Sequence, residues 1–314
     1  GGKITAKVQH LGAVEVGSGF RLGHLEAEKL LVSNQKTALY GMSIQTPFSE
    51  VSDSLSMTYD GFSAFKKDFN SGVNFDVSLA EGTHVAIADL LHFDKILGQN
   101  AFFQKNKSAV AEISGHVFGN LNGLKGREVL LKLSPAMLVD CNFNTRNLLN
   151  PEATKEFNFK FKNLQTDMAT MRQVIPGFKA PTNFDKLGKL GFSGNLDGFS
   201  SNFVVEGGLL TDLGGGRLNM KLDLNAGKEA AVYEGKLSLQ QFDLGQWTGQ
   251  KDLGKVSFSV SLQNGHGLTA TSLRADLNTH IDTLGYRGYV YRNLNADGVL
   301  DKYKFNGRLS SADP

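Results

Sequence analysis

The chain has 314 residues, a formal net charge of +2 and 20% charged residues, with no long block of one sign. Binding to nucleic acid needs a clustered basic face, so this composition argues against a nucleic-acid-binding protein. The single cysteine excludes a disulfide framework within the chain, and no stretch reaches the ~20 apolar residues of a membrane-spanning helix.

The first half of the chain alternates apolar and polar residues, which predicts strands with one face of each kind. Abundant glycine (36 residues) beside scarce proline (6 residues) indicates many strands joined by tight turns. Cys141 is in phase with Met137, Val139 and Phe143 and is interpreted as a core residue. The alternating sets are Ile4, Ala6 and Val8; Ala38, Tyr40, Met42 and Ile44; Leu55, Met57 and Tyr59; Val73, Phe75, Val77 and Leu79; Val129, Leu131 and Leu133; and Phe157, Phe159 and Phe161.

Helical spacing occurs in short segments. One predicted helix runs from Asp89, as the N-cap, to Leu97, with Phe93 on its apolar side and Gly98 as the stop. A second covers 167–175 and ends at Pro176-Gly177, and a single turn is expected at 242–248.

The last third is the most regular part of the sequence. A weak repeat joins Leu187-Gly188-Lys189-Leu190 to Leu253-Gly254-Lys255-Val256, and Gly235-Lys236-Leu237-Ser238 to Gly307-Arg308-Leu309-Ser310. The period is about seventy residues, which is one meander of several strands. The alternating sets here are Leu218, Met220, Leu222 and Leu224; Val256, Phe258, Val260 and Leu262; and Tyr303, Phe305 and Leu309.

These patterns predict an all-β fold: a long, curled antiparallel sheet with an apolar interior and one to three short helices. Strands buried on both faces of a parallel sheet would be apolar throughout, and no alternating β-α-β rhythm is present. The predicted organisation is a first segment, 1–180, with helices near 89–98 and 167–176, and a second segment, 181–314. The alternative is one continuous domain, with the sheet running across that boundary.

No catalytic or metal-binding motif stands out. The seven histidines are dispersed without an HExxH pair, and the glycine runs do not precede helices as phosphate-binding loops do. Gly191-Phe192-Ser193-Gly194 lacks the spacing of a serine nucleophile elbow. The sequence therefore predicts that the protein is not an enzyme and holds no cofactor.

Phenylalanine (22 residues) is concentrated on the apolar side of the predicted strands. Such stripes usually fill the core of a sandwich or barrel. The alternative is an open groove that holds lipid acyl chains. The candidate residues lining such a groove are Phe75, Phe159, Phe192, Phe203, Leu222, Phe258, Val260 and Phe305.

Motifs from about residue 80 onward carry a family resemblance, more through their order and spacing than individually. They include Ala88-Asp89-Leu90-Leu91, Ile113-Ser114-Gly115, Leu187-Gly188-Lys189-Leu190, Phe192-Ser193-Gly194, Tyr233-Glu234-Gly235-Lys236-Leu237, Phe242-Asp243-Leu244-Gly245, Tyr291-Arg292-Asn293-Leu294 and Asp313-Pro314. With these motifs the chain resembles the C-terminal part of the bacterial TamB family, within the AsmA-like group, in its Bacteroidetes form.

The resemblance implies a taco-like apolar groove in a periplasmic protein. It implies an inner-membrane anchor in a segment outside this chain. Both ends of the chain look cut, as expected for a piece of a longer protein. It implies a BamA-like outer-membrane barrel as partner, of the TamA type, and phospholipid as cargo. The implied roles are phospholipid transport between the two membranes and support of outer-membrane protein assembly.

Two alternatives stay open. The first is a scaffold that templates the strands of outer-membrane barrel proteins through an exposed sheet edge. The second is a β-sandwich or solenoid adhesin that binds glycans, although Trp247 is the single tryptophan.

Overall fold

The computed structural model describes residues 2–16, 19–92, 98–133, 136–147, 153–176, 178, 180, 182–269, 271–302 and 304–312. The all-β prediction is confirmed, since eighteen strands account for most of the described chain. The strands are β1 (Ile4–Val14), β2 (Arg21–Val32), β3 (Lys36–Gln45), β4 (Glu50–Tyr59), β5 (Val73–Leu79), β6 (His84–Ala86), β7 (Val110–Asn120), β8 (Gly123–Leu133), β9 (Met137–Arg146), β10 (Glu156–Asp167), β11 (Lys189–Phe199), β12 (Asn202–Thr211), β13 (Gly214–Asp223), β14 (Val232–Asp243), β15 (Leu253–His266), β16 (Arg274–Tyr286), β17 (Tyr289–Asp301) and β18 (Lys304–Ser311).

The helices are short and, at six α-helices within the described residues, more numerous than the one to three expected. None of the described helices is both long enough and apolar enough to span a membrane. The helical segments are α1 (Ala64–Lys67), α2 (Phe69–Gly72), α3 (Ile87–Leu90), α4 (Ala101–Lys105), α5 (Met168–Val174) and α6 (Leu244–Thr248), with 3-10 helices at Thr182–Leu187 and Lys228–Ala230.

The helix predicted from Asp89 is wrong in its start. Helix α3 begins two residues earlier, at Ile87, and Asp89 lies inside it as a buried acceptor rather than as a cap. Phe93 and Leu97 lie outside the described residues. The predictions at 167–175 and 242–248 are confirmed by α5 and α6, and Asp243 caps α6 by accepting from the backbone N–H of Gln246.

The chain divides into two compact units. Unit 1 comprises Gly1–Leu164 and Thr170–Lys179, and unit 2 comprises Gln165–Ala169 and Ala180–Pro314. The division falls inside β10.

Unit 1 is an antiparallel meander in chain order. β1 to β5 pair successively, β5 pairs with β7, and β7, β8 and β9 follow. The short β6 pairs with the first residue of β4 and with the start of β7. Near α5, Val174 packs with Ala111 and Leu133 in a small core, and the Lys105 ammonium donates to the carbonyls of Arg172 and Ile175 at the end of that helix.

One predicted face in unit 1 is wrong. Ala38, Tyr40, Met42 and Ile44 were expected on the same side of β3. Gly41 adopts a positive φ of 55° at a bulge against β4, which shifts the side-chain phase by one residue. Leu39 is therefore in register with Leu55, while Tyr40 is exposed.

Unit 2 is a simpler meander, in which β11 to β18 pair strictly in sequence and antiparallel. The internal repeat seen in the sequence corresponds to four strands. Its first motif opens β11 and β15, and its second lies in β14 and β18. A short helical turn precedes each repeat start: the 3-10 helix at 182–187 before β11, and α6 before β15. Tyr303 and Gly177 lie outside the described residues.

Candidate functional site: two apolar sheet faces

The strand registers of unit 2 bring apolar residues together in rows that run across the strands. Partners in register share one face of a sheet, and residues two apart on one strand share it too. One row contains Phe192, Leu209, Gly216, Leu239, Phe258, Ile281 and Leu294. The next contains Gly194, Gly207, Leu218, Leu237, Val260, Thr279, Ala296 and Leu309.

A third and a fourth row continue the same face. The third contains Leu196, Val205, Met220, Gly235, Leu262, Leu277, Gly298 and Gly307. The fourth contains Gly198, Phe203, Leu222, Tyr233 and Gly265, with Leu300 and Phe305 paired on β17 and β18. These four rows are called the apolar face of unit 2. Thr279 is the one polar side chain among them.

Most side chains on the opposite side of the same strands are polar, with Val204 and Leu210 on β12 among the exceptions. On β13, for example, Arg217, Asn219 and Lys221 alternate with Leu218 and Met220. This side is called the polar face of unit 2. A shift of one residue in any register would exchange the two faces, so the alternation itself fixes the pairing.

The apolar face is half-open. Leu218, Leu237 and Val260 lie in its middle and are half-buried. Within the described part of unit 2, no side chain larger than alanine is fully buried. A two-layer sandwich would bury such central residues completely, so the described residues of unit 2 form no second layer over this face.

One end of the apolar face is covered. Leu187, Leu213, Phe242 and Val256 form a buried cluster there, and the 3-10 helix at 182–187 and α6 pack on it. Trp247 contacts Phe184 and Phe242 edge-on, with ring centroids 5.1 and 5.9 Å apart. The Lys186 ammonium donates to the Trp247 carbonyl at 3.0 Å and joins the two helical turns.

Unit 1 carries a comparable apolar face. A single row crosses from β1 to β9 without a polar residue. It contains Ala6, Leu30, Leu39, Leu55, Val77, Val117, Gly126 and Phe143. At one end of this face α1 and α2 place Phe65 against Tyr59 and Phe69 against Phe75, with ring centroids 4.8 and 5.7 Å apart.

Every candidate lining residue lies on one of these two faces. Phe75 is beside the unit 1 row, in register with Met57 and Gly119, and Phe159 packs on Phe143 with ring centroids 5.7 Å apart. The other six lie on the apolar face of unit 2. Seven of the eight are half-buried, whereas Phe305 on β18 is 44% exposed.

Sequence reasoning missed how much of each face is glycine. Gly126 lies under the Phe143 ring, Gly207 under the Phe192 ring and Gly265 under the Tyr233 ring, at positions where a Cβ would collide with the aromatic atoms. The aromatic rings thus cover bare backbone on neighbouring strands. The signal was present for Gly207, which is in phase with Phe203, Val205 and Leu209. Register shifts separate Gly126 and Gly265 from the apolar phase of their strands, so no signal for these two was present in the sequence.

Cys141 and Asp89 are the buried reactive or charged groups of unit 1. Cys141 is 3% exposed, and burial, with a smaller effect of Asp140, raises the pKa of its thiol to about 11. Asp89 Oδ2 accepts hydrogen bonds of 2.5 Å from both Thr46 Oγ1 and Ser49 Oγ. Both residues are thus placed as structural groups. Among the described residues, no three His, Cys, Asp or Glu side chains are grouped to hold a metal ion.

Comparison with protein-family models, with curated proteins and with solved structures finds no match for this chain. The functional proposal therefore rests on the geometry of the two apolar faces and on the sequence resemblance.

Proposed function

We propose that the apolar faces bind the acyl chains of phospholipids, and that the protein is a periplasmic segment along which phospholipid moves between the inner and outer membranes. The observation that carries this proposal is the set of in-register apolar rows on unit 2, most of whose side chains are only half-buried. A surface of this kind is costly to leave in water and fits a flexible hydrocarbon ligand.

The energetics favour such a ligand. Burying a CH₂ group is worth about 0.8 kcal/mol, so a sixteen-carbon chain laid on a dry apolar face gains on the order of 10 kcal/mol. Neighbouring strands lie ~4.8 Å apart, and the rows offer similar side chains at each step. A bound chain can therefore move between equivalent positions while its headgroup stays in water.

The resemblance to the TamB family supplies the cellular setting of the proposal. It supports a periplasmic location, an inner-membrane anchor outside this chain and a BamA-like barrel partner at the outer membrane. The same resemblance supports a role in outer-membrane protein assembly alongside lipid transport.

The matched pair Val204 and Val205 on β12 tests the proposal directly. Val205 belongs to the apolar face, whereas its neighbour Val204 lies on the polar face and is 40% exposed. A photoreactive phenylalanine analogue at position 205 is expected to crosslink to phospholipid that copurifies with the chain, and at position 204 it is not. Native mass spectrometry of the unmodified protein should show the same lipid bound. Equal crosslinking at both positions, or protein free of lipid in both measurements, would contradict lipid binding by this face.

A second candidate function is a scaffold for folding barrel proteins. All eight residues of β18 are exposed, and the strand pairs with β17 along one side. An exposed strand edge can template another strand by backbone hydrogen bonding. Disulfide crosslinks from cysteines placed along β18 to nascent barrel strands, without lipid capture at position 205, would favour this function over lipid transport.

A glycan-binding adhesin is favoured by one surface feature. Tyr289 and Tyr291 are exposed at the start of β17, with ring centroids 4.7 Å apart. Exposed tyrosines of this kind can stack on sugars. Loss of glycan-array binding on replacing both tyrosines by alanine would support the adhesin function. An array without signal for the parent protein would contradict it.

A further inference from the structure

The polar face of unit 2 contains a groove. Its volume is about 700 Å³, and it runs across the strands from β11 to β16. Its charged, amide and hydroxyl-bearing lining residues lie on the polar face, and Gly207, Leu218, Leu237 and Val260 of the apolar face complete its lining. Binding of a polar ligand by the polar-face residues does not depend on lipid binding by the apolar face.

The centre of this groove is a regular grid of side chains, two on each of four neighbouring strands. The registers pair Arg217 with Ser238, Ser238 with Ser259 and Ser259 with His280 in one line. The second line is Asn219, Lys236, Ser261 and Asn278. These eight residues all line the groove and are called the polar grid. The grid contains cationic, hydroxyl, amide and imidazole groups. One carboxylate also lines the groove, that of Glu206 on β12, which is in register with Asn219 and diagonal to Arg217.

The charge within the polar grid is uneven. Arg217 and Lys236 are diagonal neighbours on β13 and β14, and neither forms a hydrogen bond or ion pair with another described residue. At the other end, the Asn278 amide donates to Asp297 at 2.6 Å, and His280 lies 2.8 Å from Asn295 and 3.4 Å from Asp282. The available positive charge is therefore at the β13–β14 end, with the Ser238 hydroxyl between the two cations.

The dimensions suit a ligand with one anionic end. Four strands at ~4.8 Å spacing make the grid ~14 Å long, and two residues along a strand make it ~7 Å wide. A phosphate group needs several donors and an opposing positive charge, which Arg217, Lys236 and Ser238 provide together. The hydroxyls of Ser259 and Ser261 beside it suit a neutral polyol. Ten polar residues line the groove, against three apolar ones, Leu218, Leu237 and Val260.

We infer that the polar grid is a binding site for a phosphorylated sugar or polyol, with the phosphate between Arg217 and Lys236 and the hydroxyl groups over Ser259 and Ser261. Two sources share this chemistry: a soluble sugar phosphate and a phosphorylated polyol headgroup on a lipid surface.

The test is titration calorimetry of the purified 314-residue chain with glucose 6-phosphate, glucose and inorganic phosphate. Phosphatidylcholine vesicles with and without phosphatidylinositol 4-phosphate form the membrane arm. Saturable binding of glucose 6-phosphate, stronger than that of inorganic phosphate and without binding of glucose, is expected. Binding to the phosphoinositide vesicles alone would assign the same site to a lipid headgroup.

Matched variants locate the site. Charge-assisted hydrogen bonds contribute about 1.5–3 kcal/mol each, so Arg217→Gln and Lys236→Gln should each weaken binding by about tenfold or more. Arg308→Gln removes one positive charge from the same face on β18, about five strand spacings from Arg217 and beyond the ~8 Å screening length of physiological salt. Its affinity should stay within about twofold of the parent.

Three results would overturn the inference: no binding of either phosphate ligand, equal binding of glucose and glucose 6-phosphate, or an equal loss in the Arg308→Gln variant. Circular dichroism of each variant separates lost binding from lost folding.

Discussion

The ring of Phe143 on β9 lies directly over Gly126, its register partner on β8, and fills the space that any Cβ at position 126 would need. The two residues end the apolar row that crosses unit 1. The packing of the Phe143 ring on Gly126 shows that a flat apolar face depends on glycine as much as on phenylalanine.

Replacing Gly126 by alanine should therefore destabilise unit 1. The new methyl group would push the Phe143 ring off the sheet, and overpacking of this kind costs about 1–3 kcal/mol. Gly123→Ala on the same strand is the control, because the nearest atoms to its Cβ are at 3.8 Å. Urea denaturation should show a lower midpoint for Gly126→Ala and an unchanged or higher one for Gly123→Ala. Equal midpoints for the two variants would show that the ring moves aside freely.

Asp89 should be a strong determinant of stability in unit 1. Asp89→Ala leaves the hydroxyls of Thr46 and Ser49 without their common acceptor in a buried site. Buried unpaired polar groups cost about 1–3 kcal/mol, so a loss of about 2–4 kcal/mol in the free energy of unfolding is expected. Asp60→Ala, at an exposed position, should change it by less than about 0.5 kcal/mol. A small effect of Asp89→Ala would mean that water replaces the carboxylate.

Cys141 should make folding stability sensitive to alkaline pH. Its thiol pKa rises from 9.0 to about 11 on folding, so the unfolded chain ionises first as the pH increases. Stability linked to this thiol is complete below pH 9 and is lost as the pH rises towards 11, by about 1 kcal/mol at pH 10. The difference between urea midpoints at pH 8 and pH 10 should be smaller in Cys141→Ala than in the parent. Identical pH dependence in the two proteins would refute the assigned burial effect.

Trp247 offers a spectroscopic test of where acyl chains reach on unit 2. It is the only tryptophan of the chain and packs at the covered end of the apolar face. If acyl chains lie along this face, phospholipids brominated on the acyl chain should quench its fluorescence, and brominated water-soluble alcohols should quench it less. Quenching by both to the same extent would indicate an open, solvent-filled end.

The all-β class and the two-faced strands were predictable because period-two alternation is a local property of each strand. Phe192, Phe203, Leu222 and Phe258 share one face of unit 2 through the same property. The alternation predicted faces best in β11 to β14 and in β16 to β18 of unit 2, which pair in chain order without a recorded register shift.

Bulges and helix starts were less predictable. The positive φ of Gly41 changes which residues of β3 face the apolar side, and no local pattern separates this glycine from those inside regular strands. Asp89 has the composition of an N-cap, yet tertiary hydrogen bonds to Thr46 and Ser49, more than 35 residues earlier in the chain, place it inside α3. The polar grid was also missed, because its residues converge only when four registers are known.

The four-strand repeat of unit 2 brings its own helical turn each time, before β11 and again before β15. Each copy therefore carries both a stretch of sheet and a helical turn that packs on the buried cluster of unit 2. Four strands correspond to ~19 Å along the direction in which they stack. Duplicating or deleting one copy would change the length of such a sheet in steps of that size. The strand pairing between neighbouring copies would stay the same. The length of the protein can therefore change in evolution without redesign of the surface along which a ligand travels.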